Sequence, residues 1–289
     1  VKNIYTSYNL SQVLFGVSFV VKQGQCVSLI GRNGVGKTTT MRSIINLTPP
    51  SQGSITLDGI NITRVPTHKI AKLGIAFVPE ERQIFPELSV WENLDIARKV
   101  PPGGESVWSE EEVYDLFPDL KDIQNRLGGV LSGGQQQMLT IARGLMGNPK
   151  LLILDEPSEG LAPKVVETLR EQIRKLKQSG MSILLAEQNL SFVLALSDEC
   201  HIMEKGEIVT VVTVSGEYVG ALETLDPLTL SNPRMIVSTG EGKMGFAKGI
   251  ALTGKENPDT QVFNQYVFVA ETNPSVAEAH AKAISIIVY

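Results

Sequence analysis

The chain has 289 residues, 42% of them hydrophobic, so it is long enough and apolar enough to bury a sizeable core. Its formal net charge is -5, and its Lys and Arg residues are scattered instead of forming basic blocks. These properties exclude a disordered tail and give no electrostatic footprint for a nucleic-acid backbone, so we expect no nucleic-acid partner.

The cysteines and the hydropathy of the sequence predict that the chain lies in the cytoplasm. Cys26 and Cys200 stand far apart without a CxxC pair, which fits a reducing environment and predicts no zinc site. No apolar run approaches the roughly 18 to 20 residues needed to cross a bilayer, and residues 1–10 lack the apolar core of a signal peptide. We therefore expect a cytoplasmic chain whose role at a membrane would come through a partner.

The first predicted elements surround a glycine-rich loop. The run CVSLI at 26–30 is short and β-rich, as expected of a buried strand. GRNGVGKT follows directly, and TTMRSIIN then predicts a helix that ends before a pair of prolines. Further strands are predicted at 54–59 and 74–79.

A helix-rich block follows at about 82–145, with PPGG at 101–104 as a loop and LSGGQQQMLTIARGLM at its end. Alternation of strands and helices then resumes, with strands at 151–155, 181–186 and 201–204 and helices at 163–178 and 190–197. This pattern predicts a mainly parallel sheet covered on both faces, into which the helical block is inserted.

GRNGVGKT at 31–38 fits GxxxxGK[ST] and lies between a predicted strand and a predicted helix, the context that indicates a phosphate-binding loop. Its glycines let backbone N–H groups converge on the β- and γ-phosphates of a nucleotide. Lys37 adds a point charge, and the Thr38 hydroxyl is a ligand for Mg²⁺.

A second motif, LLILDEP at 151–157, delivers two carboxylates to the end of a buried strand. Asp155 would hold Mg²⁺, and Glu156 would orient and polarise the attacking water. By itself such a run is often only a strand that ends at the surface, but beside a complete phosphate loop it indicates a catalytic role.

LSGGQ at 131–135 is a further anion cradle at the start of a helix, with free N–H groups at Ser132, Gly133 and Gly134. One nucleotide needs one such cradle. A second cradle therefore implies that this segment binds the nucleotide of another subunit.

The three motifs resemble, in order and spacing, those of the nucleotide-binding domains of ABC proteins. Over about residues 1–210 the chain resembles the second ATPase subunit of branched-chain amino acid importers, through GRNGVGKTTTMRSI, FVPEERQIFPELSVWENL and LLAEQN. The resemblance implies an α/β P-loop NTPase fold at 1–215, with a mainly parallel core sheet, an antiparallel β-rich N-terminal part and a helical subdomain at about 82–145.

The resemblance also implies ATP and Mg²⁺ as ligands and assigns the site. The nucleotide-binding positions are Tyr8, Gly31, Asn33, Gly34, Gly36, Lys37, Thr38 and Thr39, with Ser132, Gly133, Gly134 and Gln135 serving the nucleotide of the partner. The Mg²⁺ ligands are Thr38, Asp155 and Glu80, and the catalytic residues are Glu156, Lys37 and Gln188. Tyr8 would stack on adenine, although a Tyr at such a place is as often a packing residue.

Two positions depart from the general ABC pattern. Glu80 stands where a glutamine normally follows the FVP strand, and Gln188 stands where a histidine normally follows a later strand. The Gln188 amide can donate a hydrogen bond but cannot change its charge near neutral pH. Either hydrolysis is weakened or these residues are typical of the importer subgroup, and we expect catalysis to survive because Lys37, Thr38 and Glu156 are intact.

The implied function is ATP hydrolysis that powers an importer of branched-chain amino acids or a related small polar solute. The implied partners are a second ABC ATPase subunit in a head-to-tail dimer, expected to be a heterodimer, two membrane-spanning permease subunits contacted through 82–93, and indirectly a substrate-binding protein. The chain would then lie at the cytoplasmic face of the membrane. The alternatives are an ABC-type ATPase unconnected with transport and a weakly hydrolysing regulatory subunit.

Residues 216–289 form a C-terminal extension of uncertain α/β fold in which we find no motif. The runs EIVTVVTV and QYVFVA predict strands, and about 275–283 predicts a helix. The extension is either a small regulatory module or an unrelated sequence joined to the ATPase.

Overall fold

The computed structural model describes residues 1–9, 11–99, 108–212, 218–225, 228–238, 244–247 and 260–263, with the backbone alone from residue 209 onward. The strands are β1 (Lys2–Tyr8), β2 (Ser11–Val17), β3 (Cys26–Ile30), β4 (Gln52–Ser54), β5 (Thr56–Leu57), β6 (Ile60–Asn61), β7 (Ile75–Val78), β8 (Leu151–Asp155), β9 (Ser182–Glu187), β10 (Glu199–Glu204), β11 (Glu207–Val212), β12 (Tyr218–Leu225), β13 (Leu228–Ser238), β14 (Met244–Ala247) and β15 (Thr260–Phe263). The helices are α1 (Lys37–Ile44), α2 (Thr67–Lys72), α3 (Val90–Asp95), α4 (Glu110–Leu116), α5 (Pro118–Asp122), α6 (Gly133–Leu145), α7 (Pro163–Gln178) and α8 (Leu190–Leu194).

The chain divides into two compact units. The first unit contains Val1–Asp198 and Met203–Ile208, and the second contains Glu199–Ile202 and the described residues from Val209 onward. None of the helices in the described ranges is both long and apolar enough to cross a membrane.

A parallel sheet forms the centre of the first unit, with neighbouring strands in the order β3, β9, β8 and β7. Every residue of β3 and β9 is buried. Strands covered on both faces favour apolar side chains at successive positions, which explains why the sequences of β3 and β9 are mainly apolar. The loops that follow β3 and β8 leave the sheet at the same edge, because parallel strands end on the same side.

An antiparallel sheet in the order β2, β1, β4 lies at the start of the first unit. One buried cluster joins both sheets to α1, with Ile4 and Leu14 from the antiparallel sheet, Leu29 and Leu184 from the parallel sheet, and Met41 from the helix. This shared core fixes the phosphate-binding loop between β3 and α1.

The single strand predicted at 54–59 is wrong. β5 and β6 form a hairpin around Asp58 and Gly59, whose φ angles are 49° and 77°. Two central residues with positive φ are the requirement of the tight hairpin turn for which Asp-Gly is preferred, so the dipeptide reverses the chain instead of ending a strand.

The predicted helical block contains α3, α4, α5 and α6, and three of these helices begin in the same way. Ser89, Ser109 and Ser132 each accept a hydrogen bond from the backbone N–H three residues later, and the Glu or Gln at that position accepts one in return. These capping boxes satisfy N–H groups that a helix start leaves unpaired. The loop predicted at 101–104 lies outside the described residues.

In the second unit β13 is the central strand of an antiparallel sheet. β12 pairs with one edge of β13, while β14 pairs with Met235–Ser238 and β15 with Leu228–Ser231 on the other. Pro233 lies between those two pairings, where its missing N–H leaves no ladder hydrogen bond unmade. The strand predicted from QYVFVA and the helix predicted at about 275–283 lie outside the described residues.

Candidate functional site

The loop between β3 and α1 has the backbone of a phosphate cradle. Gly34 and Gly36 adopt φ angles of 84° and 109°, a region that side chains disfavour. Lys37 begins α1 and is 3% exposed. Its Nζ donates to the carbonyl oxygens of Gly31 at 2.7 Å and Arg32 at 3.0 Å, so the side chain folds back across the loop.

The end of β8 meets this loop. Lys37 Nζ lies 2.9 Å from Glu156 Oε1, and both side chains are buried. Thr38 Oγ1 donates to Asp155 Oδ1 at 3.1 Å. Glu156 itself adopts a φ angle of 46°, which is uncommon for a residue with a side chain and marks a constrained position. The structure thus brings together the two motifs that the sequence separates by more than a hundred residues.

Gln188 completes the surroundings of Glu156. Its Nε2 donates to Glu156 Oε2 at 2.7 Å and to Asn33 Oδ1 at 2.8 Å. Both carboxylate oxygens of Glu156 are therefore contacted, one by Lys37 and the other by Gln188. The amide that replaces the usual histidine lies directly between the phosphate loop and the predicted catalytic carboxylate.

Asp155 has the features of a cation ligand. Burial is the main cause that raises the pKa of Asp155 to about 6. The hydrogen bond from Thr38 lowers this pKa in part, and the negative charges of Glu156 and Glu80 raise it further. Its Oδ2 is buried and has no hydrogen-bond partner among the residues that the structure describes. A carboxylate oxygen without a donor beside a threonine hydroxyl fits Mg²⁺, which binds through one or two carboxylates together with substrate phosphates.

Sequence reasoning missed Glu159, which lies in the loop after β8. Its pKa is raised to about 7, chiefly by a hydrogen bond with Glu156. Burial raises the pKa of Glu156, but hydrogen bonds with Glu159, Gln188 and Lys37 outweigh that effect, so the pKa lies below its usual value. As pH falls, Glu159 therefore takes up a proton before Glu156 does.

Glu187, the last residue of β9, was also missed. Its Oε1 accepts from the N–H of Ser158 at 2.9 Å, and its Oε2 accepts from the N–H groups of Gln188 and Asn189 at 3.1 Å and 3.3 Å. This buried carboxylate connects the loop after β8 with the loop that carries Gln188. The acidic end of the apolar run SILLAE was the available signal.

The LSGGQ segment lies at the N-terminus of α6. Ser132 is exposed, its Oγ accepts from Gln135 N at 3.3 Å, and its own N–H donates to Gln135 Oε1 at 3.0 Å. The helix start is therefore closed by its own side chains. Gly133 and Gly134 are partly exposed beside it.

The remaining predicted positions lie around these motifs. Tyr8 ends β1, is 40% exposed, and its hydroxyl accepts from Thr48 Oγ1 at 3.4 Å, while Thr39 is buried in α1. Glu80 is exposed after β7 and acts on the pKa of Asp155 through its charge. The roles of Tyr8 and Glu80 stay predictions.

Known proteins share both the sequence and the fold of this chain. The family model described as ABC transporter matches residues 14–159. The high-affinity branched-chain amino acid transport ATP-binding protein BraG of Pseudomonas aeruginosa is 40% identical over 206 residues, which cover 71% of this chain and 88% of BraG. The lipopolysaccharide export system ATP-binding protein LptB of Escherichia coli is 32% identical over 210 residues, 72% of this chain and 87% of LptB.

A solved structure gives the same result for the fold. A dimeric ATP-binding cassette in a post-hydrolysis state with ADP and Pi matches with a TM-score of 0.63 at 25% identity, covering 72% of this chain and 94% of that one. These findings confirm the predicted resemblance and the predicted cassette fold. The chain therefore belongs to the ABC transporter family and is one of its ATPase subunits.

Proposed function

We propose that this subunit hydrolyses ATP to power the import of branched-chain amino acids or a related small polar solute. One arrangement supports hydrolysis above all others, namely the buried contact of Lys37 with Glu156 beside the hydrogen bond from Thr38 to Asp155. The direction and the substrate class rest on the similarity to BraG, because LptB, which belongs to an export system, is less similar over the same part of the chain.

Nucleotide binding exchanges one partner of Lys37 for another. In this structure the buried ammonium is balanced by Glu156 and by two loop carbonyls. A buried charge needs a partner at all times, and a phosphate oxygen is a suitable replacement for the carboxylate. Binding of ATP therefore frees Glu156 from Lys37 and leaves it available to a water molecule.

Mg²⁺ would be held by the Thr38 hydroxyl and the Asp155 carboxylate, with Glu80 close by. When bound, it neutralises charge on the β- and γ-phosphates. The Asp155 Oδ2 atom, buried without a donor, is the contact that this chain keeps available for the ion.

Glu156 is the group that we assign to the attacking water. Its carboxylate is charged near neutral pH because its pKa is lowered, so it can accept a hydrogen bond from the water and orient it towards the γ-phosphorus. Attack in line forms a bond from the water oxygen to phosphorus and breaks the bond to the β–γ bridging oxygen, which leaves with ADP, while Glu156 accepts a proton from the water. Gln188, between Glu156 and Asn33, keeps the carboxylate aimed at the loop.

Ser132–Gln135 would serve the nucleotide of a partner in a head-to-tail dimer, because Ser132 is exposed and the next three residues are partly exposed at a helix N-terminus. We propose a related but different ATPase subunit as that partner. The permease subunits would dock on 82–93, where Phe85 and Trp91 are 45% and 41% exposed. This arrangement would hold the chain at the cytoplasmic face of the membrane and couple it, through the permease, to a substrate-binding protein.

The test of hydrolysis is Glu156→Gln in the full chain. We expect kcat to fall by about 10²- to 10⁴-fold, the usual contribution of a general base, while ATP affinity is retained. Glu171→Gln on the exposed face of α7 is the matched control. Wild-type protein that binds ATP without turning it over would instead favour the regulatory subunit, which Glu80 and Gln188 suggest as the second candidate.

The test of transport is reconstitution with the permease subunits in lipid vesicles. We expect the chain to co-purify with two membrane subunits and to support ATP-driven uptake of leucine, isoleucine or valine. Failure to co-purify with any membrane subunit would contradict the transport function, and outward movement of substrate would contradict import.

A further inference from the structure

The Arg82 side chain lies where three segments of the first unit meet. Arg82 follows β7, and its Nη2 donates to the carbonyl oxygen of Glu159 at 2.8 Å in the loop after β8. A Cβ placed on Gly133 at the start of α6 would lie 2.6 Å from Arg82 Nη1, and one placed on Gly160 would lie 3.4 Å from Nη2. The guanidinium therefore lies beside both backbone segments, and an added methyl group at Gly133 would displace Nη1.

The backbone around Arg82 is also constrained. Arg82 has a φ angle of 45°, and its carbonyl oxygen accepts from the N–H of Ile84 at 2.8 Å. Arg143, near the end of α6, donates through Nη2 to the carbonyl oxygen of Gln83, and its guanidinium lies 5.0 Å from the centroid of the Phe85 ring. The loop after β7 therefore contacts α6 near both ends of the helix.

We propose that Arg82 is a positioning residue that fixes the Ser132–Gln135 segment relative to the Ser158–Leu161 loop, so that Ser132–Gln135 is correctly placed when it meets the partner subunit. The inference rests on the proposed function, in which Ser132–Gln135 faces the partner. An arginine suits the place because its planar fork can donate to the Glu159 carbonyl through one nitrogen while another lies beside Gly133, whereas lysine offers a compact charge.

The contacts of Arg82 predict which kinetic parameter it controls. They lie on α6 and on the loop after β8, whereas ATP is bound through the Gly31–Thr38 loop. Loss of the guanidinium should therefore leave ATP binding unchanged and lower turnover, because the two segments would no longer be aligned when the subunits close.

The test uses the full chain with Arg82→Met, Arg82→Lys and the control Arg126→Met, since Arg126 is exposed elsewhere in the helical block. For Arg82→Met we expect kcat to fall by about 10- to 100-fold with KM for ATP changed less than about twofold. Arg82→Lys retains a donor and should recover part of that loss. Arg126→Met should match the wild type.

Combining Arg82→Met with Gly133→Ala measures the contact itself. The added methyl group would lie 2.6 Å from Nη1 and displace it, so Gly133→Ala should lower kcat less in the Arg82→Met background than in the wild type. The inference would be overturned if the effects of the two substitutions on kcat were independent of each other. It would also be overturned if Arg82→Met left kcat unchanged, raised KM as much as it lowered kcat, or greatly lowered the melting temperature. A wild-type chain without turnover would instead overturn the proposed function, which separates the two failures.

Discussion

Two anion cradles in the first unit differ in how their polar groups are satisfied. In the Gly31–Thr38 loop, Lys37 is buried and paired with Glu156 from another part of the chain. In the Ser132–Gln135 segment, the exposed helix start is closed by hydrogen bonds within the same four residues. The first cradle must rearrange long-range contacts when a phosphate enters, whereas the second needs only a local change.

This difference determines how strongly each cradle can bind a phosphate without a partner subunit. A buried cation that exchanges one carboxylate for a phosphate gives strong binding within one subunit. An exposed helix N-terminus contributes less, because water screens its charge and competes for its N–H groups. We therefore expect the first cradle to determine ATP affinity and the second to act only when a partner brings a nucleotide to it.

Lys37→Met should have the largest effect, because it removes the buried cation of the first cradle. Removal of one partner of a buried pair costs about 3–5 kcal/mol and leaves Glu156 unpaired, so both ATP affinity and folding stability should fall. Calorimetric titration with ATP and thermal unfolding measure the two effects.

The double variant Lys37→Met with Glu156→Gln is the matched control for this prediction. Since the neutral amide needs no cation, the double variant should regain stability but not ATP affinity. Recovery of ATP binding in the double variant, or an unaltered melting temperature in Lys37→Met, would show that the pair is not the determinant that we describe.

Ser132→Asp should have the next largest effect, and it acts on the other cradle. Asp caps a helix as well as Ser does, so stability should be preserved, but its charge repels the phosphate of a partner nucleotide. We expect kcat to fall by about 100-fold, a loss comparable to removal of one phosphate-stabilising donor, with ATP affinity of the single chain unchanged.

Two alanine variants separate capping from phosphate contact. Ser132→Ala and Ser109→Ala each remove an N-cap and should each cost about 1 kcal/mol of stability. Only Ser132→Ala should also lower turnover, because the capping box of Ser109 at the start of α4 is not part of the site. Equal turnover in the two variants would contradict a role of Ser132 beyond its helix.

Much of the fold could be predicted because residues that begin or end helices, such as proline, stand where the apolar periodicity also begins or ends. The helix predicted from Pro163 to Gln178 has those bounds in the structure, since proline suits the first turn and the apolar stripe ends with the helix. The strand pattern at 54–59 failed because an Asp-Gly turn was not recognised, although the dipeptide was a readable signal.

The site could be predicted as a set of residues but not as a set of contacts. The motifs named Lys37, Asp155 and Glu156, yet nothing in them specified that Gln188 bridges Glu156 and Asn33. Arg82 and Glu187 lie in segments that carry the resemblance, but no motif assigned a contact to either residue. Their roles depend on which loops the sheet brings side by side, and that information is distributed over the whole core.

The charge of Asp155, whose Oδ2 is buried without a hydrogen-bond partner among the described residues, should make stability depend on pH. The pKa of Asp155 is raised from 3.8 to about 6, so the folded chain binds this proton more tightly than the unfolded chain does. Ionisation of Asp155 therefore lowers stability as pH rises from about 4 to 6, and the full cost, about 1–3 kcal/mol, is present above pH 6.

Asp155→Asn removes that charge, so it should raise the melting temperature of the metal-free and nucleotide-free protein at pH 7.5 while abolishing Mg²⁺-dependent turnover. The gain should shrink as pH falls through 6 towards 4, where Asp155 takes up its proton. Thermal unfolding in EDTA across this range is the measurement, with Asp115→Asn on the exposed face of α4 as the control. If Asp155→Asn is less stable than the wild type at pH 7.5, or if its gain in melting temperature does not depend on pH, then the ionised Asp155 carboxylate does not destabilise the metal-free protein.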